Sequence, residues 1–509
     1  MKALFAILVR ALREHTRSRA LAVARGGFAA MIVWLLATQN WDNVVAPGLN
    51  FLFGVLVMNV IFILVAATSY FSSAITEEKE EGTIALLQMA NVSPTGLLLA
   101  KSGTRILEGL LLLAVQFPFA LLAVTLGGVA WEQVAAAYLA LVAFVFMAGN
   151  LALLASVVAS RATTAAFGTA GLLLLVFFGD DLLALPARLM GIQVRIANWQ
   201  ALNPFTRLRD VTSLLFAGPI VEAHFWNSIL VGTAAFVAAR MLFERFSQPT
   251  AEGAPGWMSR FFSTSEDRQL AARPISHMAI EWKDYDFLYG GDRFLRWKVR
   301  AYIIIAGVLS LPALVRWDRH TLLLIGGNMV LTGVLGLLFE TCFIASRMFS
   351  YERQTKTLAT LLLIPDMKTE SLIHWKEQVA VLMLRPVRLM LGSGLLVAFL
   401  GVLYAGFTTA MVVTAFATPV MLLLFWPFAI FYIRLLRNLI IHLSLRVSWG
   451  SMALGFSLWL LFILLTVSLF SLVSPVLSFW LSLIPTSYLS DYIARKNVAL
   501  IQEVACKEG

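Results

Sequence analysis

Glu77, Glu78, Glu80 and Glu81 crowd around Lys79 and run directly into Gly82 and Thr83, on the carboxyl side of a long apolar stretch. Loops bordering a membrane on its basic side ordinarily favour Lys and Arg, so an acidic cluster there has a chemical purpose to be found. Gly82 permits a sharp change of backbone direction, and Thr83 is placed to cap a new helix. Ile84, Leu86, Leu87 and Met89 give that helix an apolar side, and Ser93-Pro94 offers a cap and a first-turn proline for the next one. The spacing predicts an acidic helix–break–helix element. Two uses fit it: docking of a soluble partner through charge pairs and a few apolar anchors, or a solvated helix extension with no partner.

A second segment speaks for the first use. Tyr351, Glu352, Arg353, Thr357 and Leu361 follow a later apolar stretch, and this segment aligns with the first without a gap. In that register Thr83 meets Thr357, Glu78 meets Glu352, Lys79 meets Arg353 and Leu87 meets Leu361. Trp199, Pro204 and Asp210 meet Trp480, Pro485 and Asp491 in a second, slightly longer register, and Ile7–Arg10 resembles Ile280–Lys283. Self-similarity of this kind predicts a chain of two related halves. Polar residues inside apolar stretches are costly in a bilayer. Glu108, Gln116 and Glu340 are therefore candidates for a translocation path, with helix–helix hydrogen bonding as the alternative, and Arg105 is spaced to pair with Glu108.

Nucleotide, metal and nucleophile chemistry leave no trace. A phosphate-binding Gly-x-x-x-x-Gly-Lys-Ser/Thr loop is missing, the histidines at 15, 224, 277, 320, 374 and 442 form no ligand pair, and Cys342 and Cys506 stand far apart. No catalytic, metal or cofactor residue is expected in this chain.

These residues must be held by membrane helices. Of 509 residues, 60% are hydrophobic and 13% charged, with a mean hydropathy of +0.82, against about 25% charged in soluble domains. The apolar runs are continuous, so helices and not barrel strands are predicted. They fall near 21–38, 49–73, 104–126, 133–158, 164–179, 224–243, 299–316, 321–346, 380–404, 409–433 and 450–473, about eleven spans give or take one. The net charge of +10 is distributed between these runs, which speaks against nucleic acid. Basic loops place the amino terminus in the cytosol. Residues 1–19 read as an amphipathic surface helix and not as a cleavable leader. The expected division is a first half at 1–245, a Pro/Gly-rich cytosolic linker at 246–278, and a second half at 279–509. The last apolar run, 475–484, is too short to cross unaided, so a sixth span is not expected in the second half and residues 486–509 are expected outside.

The Glu-Lys-Glu-Glu-Gly-Thr-Ile run, followed by Asn91-Val-Ser-Pro94 and Lys101, resembles the cytosolic signature of type-2 ABC exporter permeases, and Leu202-Asn-Pro-Phe205 is similar to an outer segment of that family. The resemblance implies that Glu77, Glu78, Glu80, Glu81, Gly82 and Thr83, with Tyr351, Glu352, Arg353 and Thr357, contact an ATPase subunit, and that residues 1–19 form the connecting helix before the first span. Asn91 stands where the family often carries proline. The implied protein is a permease with both halves fused, with no ATPase activity of its own. It would work by alternating access in a bacterial cytoplasmic membrane with two copies of a separate ATPase subunit that binds ATP and Mg. A secondary transporter driven by an ion gradient and a membrane-embedded lipid-modifying enzyme are the competing readings.

Overall fold

The computed structural model describes residues 19–37, 46–80, 82–89, 93–159, 162–189, 201–214, 216–246, 283–288, 291–316, 320–349, 352–353, 356–364, 368–404, 430–446, 451–471 and 478–508. Residues 1–18 of the surface helix expected at 1–19, most of the linker, Glu81, Asn91, Tyr351 and most of the 409–433 run lie outside them. Among the described residues the chain is helical, without a strand, as continuous apolar runs require when no water is present to satisfy the backbone. Among the described residues six helices are long and apolar enough to cross a membrane: Pro47–Glu80, Pro94–Thr125, Trp131–Val158, Ala223–Phe246, Thr321–Arg347 and Arg385–Tyr404. Helices also stand at Arg19–Ala37, Ala162–Leu189, Gly291–Arg316 and Ser451–Ser471, where further spans are expected.

The chain divides into two compact units, Met1–Asp180 with Arg195–Met258 and Asp181–Val194 with Ser259–Gly509. In the first, α1 (Arg19–Ala37) and α2 (Pro47–Ser69) are followed by a 3-10 turn and two short helices, α3 (Thr76–Glu80) and α4 (Ile84–Met89). The long helices α5 (Pro94–Thr125), α6 (Trp131–Val158) and α7 (Ala162–Leu189) come next, then the short α8 (Pro204–Val211) and α9 (Ala223–Phe246). Asn203 caps α8 by accepting from Phe205 N at 3.0 Å, with Pro204 at the first turn. Gln133, at the start of α6, donates to Val211 O at 2.8 Å and so fixes α8 at that end. From there α9 runs along α6 to the other end. Ala239 and Phe243 join a buried cluster with Ile75, Ile84, Leu97, Leu98, Leu153 and Val157, which packs α4 and the start of α5 against α6.

The second unit begins at a π-helical turn, Lys283–Leu288. It continues through α10 (Gly291–Arg316), α11 (Thr321–Arg347), the short α12 (Leu358–Leu362), α13 (Thr369–Met383) and α14 (Arg385–Tyr404). The helical residues 430–446, here α15, precede α16 (Ser451–Ser471) and α17 (Ser478–Glu508). Glycines let α11 and α14 touch. A Cβ on Gly326 would strike the backbone of Ala398, and one on Gly401 the backbone of Leu323, while Gly333 and Gly394 face Leu391 and Met329. Small residues at such a contact let membrane helices gain dispersion energy that apolar burial cannot supply in lipid.

The carboxyl-terminal helix corrects the sequence reading. It continues through Pro485 for 31 residues, about 46 Å at 1.5 Å per residue, and lies parallel to α15. Tyr432 and Ser482 share a hydrogen bond of 2.6 Å, Asn438 donates to Ser490 Oγ at 3.1 Å, and His442 pairs with Asn497 at 2.9 Å. Gln502 then reaches Thr369 at the start of α13, at 3.3 Å. Residues 486–508 therefore return to the end of the unit that carries Arg353 and Ser444, and do not continue away from it. Ser482, Thr486, Ser490 and Asn497 are buried against the protein, while Asp491, Arg495 and Lys496 on the same helix are exposed. The register that aligns Pro204 with Pro485 likewise fails as a structural equivalence: Pro204 opens a short helix, whereas Pro485 lies inside a long one.

Cys506 is exposed and Cys342 buried. In cells, Cys506 and a Leu363→Cys substitution are expected to react with a membrane-impermeant maleimide from the same side; labelling from opposite sides would contradict this packing. Gly401→Leu is expected to lower stability by about 2 kcal/mol or more, read as earlier thermal unfolding in detergent, whereas Gly392→Leu, where a Cβ has open space, leaves it nearly unchanged.

Candidate functional site

The acidic element is a helix–break–helix as its sequence predicts. Gly82 sits at φ 68°, in the left-handed region that glycine enters at little cost. Thr83 N closes the break by donating to Glu78 O at 3.0 Å, and the Thr83 hydroxyl donates back to the Glu78 carboxylate. Ser93 caps α5 by accepting from Gly96 N at 3.2 Å.

Glu77, Glu78 and Glu80 are engaged within the chain. Lys101, on α5, pairs with Glu78. Arg105, one turn further and 7% exposed, pairs with Glu77 at 2.7 Å, donates to Tyr70 O and to Ser73 Oγ, and lies over the Tyr70 ring at 4.6 Å. Glu80 accepts from Ala162 N at 2.7 Å, and Lys79 donates to Val157 O at 2.5 Å and Ala159 O at 2.8 Å. Ser156 Oγ accepts from Ile75 N and Thr76 N. The element is thus locked to α5 on one side and to the end of α6 on the other. Of the residues expected in a translocation path, Glu108 is buried and accepts from the Tyr70 hydroxyl at 2.7 Å. Gln116 is buried with Asn59 at a small, largely apolar cavity bounded also by Phe71 and Val145, about 10 Å³ in size, the scale of a single water.

The second unit holds the same pieces. Lys356 lies at φ 53° where the first unit has Gly82, and Thr357 N donates to Glu352 O at 2.9 Å. Arg353 donates to Ser444 O, on α15, at 2.8 Å, as Lys79 does to the end of α6. Lys376, on α13, pairs with Glu352 at 2.9 Å, as Lys101 does with Glu78. Lys376 lies one position further from its glutamate than Lys101 does, so a gapless alignment misses the match. A further layer has no counterpart among the described residues of the first unit: Asp284 accepts from Lys376 at 2.8 Å and Lys283 pairs with Glu352 at 3.1 Å, which ties the π-helical turn to the element. Burial lifts the Asp284 carboxyl above its usual range, more than Lys376 offsets, and one of its oxygens lacks a hydrogen-bond partner. Burial pushes Glu352 the same way, but Lys376 and Lys283 outweigh it and hold that carboxyl low.

Glu340 is 1% exposed. It is held by Lys298 at 2.8 Å and by the Tyr302 hydroxyl at 2.8 Å, and Lys298 also donates to Met383 O. It braces α10, α11 and the end of α13. Lys101, Arg105, Lys298 and Lys376 are the residues whose partners sequence spacing does not supply. Each is a cation entering or bordering an apolar run, which is a usable marker for a buried ion pair.

Lys376→Met leaves Glu352 and Asp284 without their shared cation, and removing one member of a buried pair costs about 3–5 kcal/mol. The expected result is a large fall in thermal stability, partly restored when Glu352→Gln is added; equal stability of Lys376→Met and parent would sink this role. Because Glu352 is held low, its contribution is complete above the ordinary carboxylate range and is lost as pH falls through its depressed value. No protein-family model and no curated protein matches this sequence, so a functional assignment rests on this geometry.

Proposed function

We propose that the chain is the membrane-spanning permease subunit of an ATP-driven transporter of the type-2 ABC exporter kind, with two related permease halves in one polypeptide. The observation that carries this reading is the recurrence of one element: a helix–break–helix with a left-handed break, anchored by a glutamate–lysine pair to the next long helix and by a cation to a helix-end carbonyl, once in each unit. Such anchoring suits a lever. A force on α4 or α12 reaches α5 or α13 through an ion pair, part-exposed between Lys101 and Glu78 and buried between Lys376 and Glu352.

ATP and Mg are bound in a separate subunit, two copies of which bind the chain, one per element. Their closure tilts the units and drives alternating access in a bacterial cytoplasmic membrane. Export is favoured because the sequence carries no domain suited to receive an external binding protein.

Purified alone, the chain is expected to hydrolyse no ATP. Co-expressed with its cognate ABC ATPase it is expected to purify as a complex with two ATPase copies per chain. Transport that runs on an ion gradient with no second chain would replace this reading with a secondary transporter, and hydrolysis by the isolated chain would end it.

A further inference from the structure

In the second unit, four helices change the chemistry of their exposed residues at one level. On α10, exposed Arg296 and Arg300 give way to exposed Ile303 and Ile304. On α14, exposed Arg385 and Arg388 give way to Leu389 and Leu396. The helices α15 and α17 change in the opposite chain direction. Exposed Ile430 is followed by Arg434, and exposed Ile484 and Tyr488 are followed by Asp491, Tyr492, Arg495 and Lys496.

Contacts between the helices tie these positions together. Lys298 donates to Met383 O at 3.0 Å, and Arg300 and Arg385 lie just beyond those two residues. Glu377, earlier on α13, pairs with Arg437 at 2.7 Å, and Arg434, one turn before Arg437, pairs with Asp491 at 3.1 Å. The four changes therefore fall within about two helical turns of one another. The helix α11 agrees. Lys298 holds Glu340 at this level; the last exposed large apolar residue before Glu340 is Leu335, and Cys342, Phe343 and Ile344 beyond it are buried in protein. The end of that apolar run is fitted to protein and not to lipid.

An exposed stripe that reads Ile, Tyr, Tyr and then Arg and Lys follows the depth profile of a bilayer: acyl chains, then the interfacial layer that tyrosine favours, then phosphate. Long cationic side chains at that depth keep their stems in the apolar layer and their charges among headgroups. A single planar partner explains a change shared by four helices.

We infer that the lipid–water boundary crosses the second unit at the level of Arg300, Arg388, Arg434 and Tyr488, and that the exposed cations there and just beyond, Arg495 and Lys496, bind the phosphates of anionic phospholipids. What lies past this level is a helical stalk in water. Arg353 reaches Ser444 O, ten residues after Arg434 on α15, so the second break stands about 15 Å beyond the boundary at 1.5 Å per residue. The inference needs only a membrane protein, and it stands or falls apart from the permease reading.

The test uses the full-length chain with Cys506→Ser, in which the remaining Cys342 is buried. Single Leu396→Cys, Ile484→Cys, Tyr488→Cys and Gln502→Cys variants carry a nitroxide label in vesicles of phosphatidylcholine and phosphatidylglycerol. Labels at 396 and 484 are expected to meet oxygen more than a water-soluble nickel complex, the label at 502 the reverse, and the label at 488 to fall between. An oxygen-dominated label at 502, or a label at 484 reached by neither reagent as under a covering protein, would overturn the placement. Adding phosphatidylglycerol to the chain in detergent is expected to raise the thermal midpoint of the parent, and to raise that of the combined Arg300→Gln, Arg495→Gln and Lys496→Gln variant by less than about half as much. An equal rise in both would overturn the headgroup contact.

Discussion

A charge near the apolar interior of a membrane protein must have a partner, and the structure is organised around that requirement. Lys101 and Lys376 each leave the start of a long helical segment and end on the glutamate of the preceding break. Without that pairing, a cation at the edge of an apolar run would carry a desolvation cost that no lipid contact offsets. With it, the break is fixed in position and the helices before and after it move together. Arg105, Lys298 and Glu340 extend the same rule further along their helices.

Between these polar joints the helices are joined by shape. In the second unit, glycines on α11 and α14 bring the backbones together where any larger residue would strike main-chain atoms. The seam between α15 and α17 is built differently, from Tyr432, Asn438 and His442 facing Ser482, Ser490 and Asn497. In the first unit the corresponding long contact, α6 with α9, closes on small and aromatic residues such as Gly232 against Phe146. The two seams thus rest on different interior chemistry, hydrogen bonding in one and close packing in the other. Past each break an apolar residue is exposed, Met89 in one unit and Leu363 in the other.

Much of this was legible in the sequence. Continuous apolar runs specify helices because a bilayer leaves the backbone no other way to satisfy its hydrogen bonds, and the six long apolar helices lie where those runs are. The break at Gly82 follows from glycine's freedom at positive φ, and the cap at Ser93 follows from a side chain that accepts a backbone N–H group at a helix start. Thr83 and Thr357, which the alignment matches, each donate their backbone N–H to the glutamate carbonyl before the break.

Partnership was not legible, because it depends on which helix faces lie together. Arg105 is spaced to pair with Glu108 on its own helix, but the segment after α2 brings Glu77 to the arginine and the Tyr70 hydroxyl to Glu108. The acidic run could equally have been a solvated face without partners; the approach of α5 and of the end of α6 supplies partners for Glu77, Glu78 and Glu80. The course of residues 486–508 escapes a sequence reading for the same reason. Hydropathy weighs a residue against lipid, whereas Ser490 and Asn497 are weighed against Asn438 and His442. The sequence by itself determined helices, breaks and caps, which are local consequences of side-chain size, hydrogen bonding and apolarity. Only the tertiary structure decided which charges are joined and which surface remains free, since those depend on residues far apart in the chain meeting across helices.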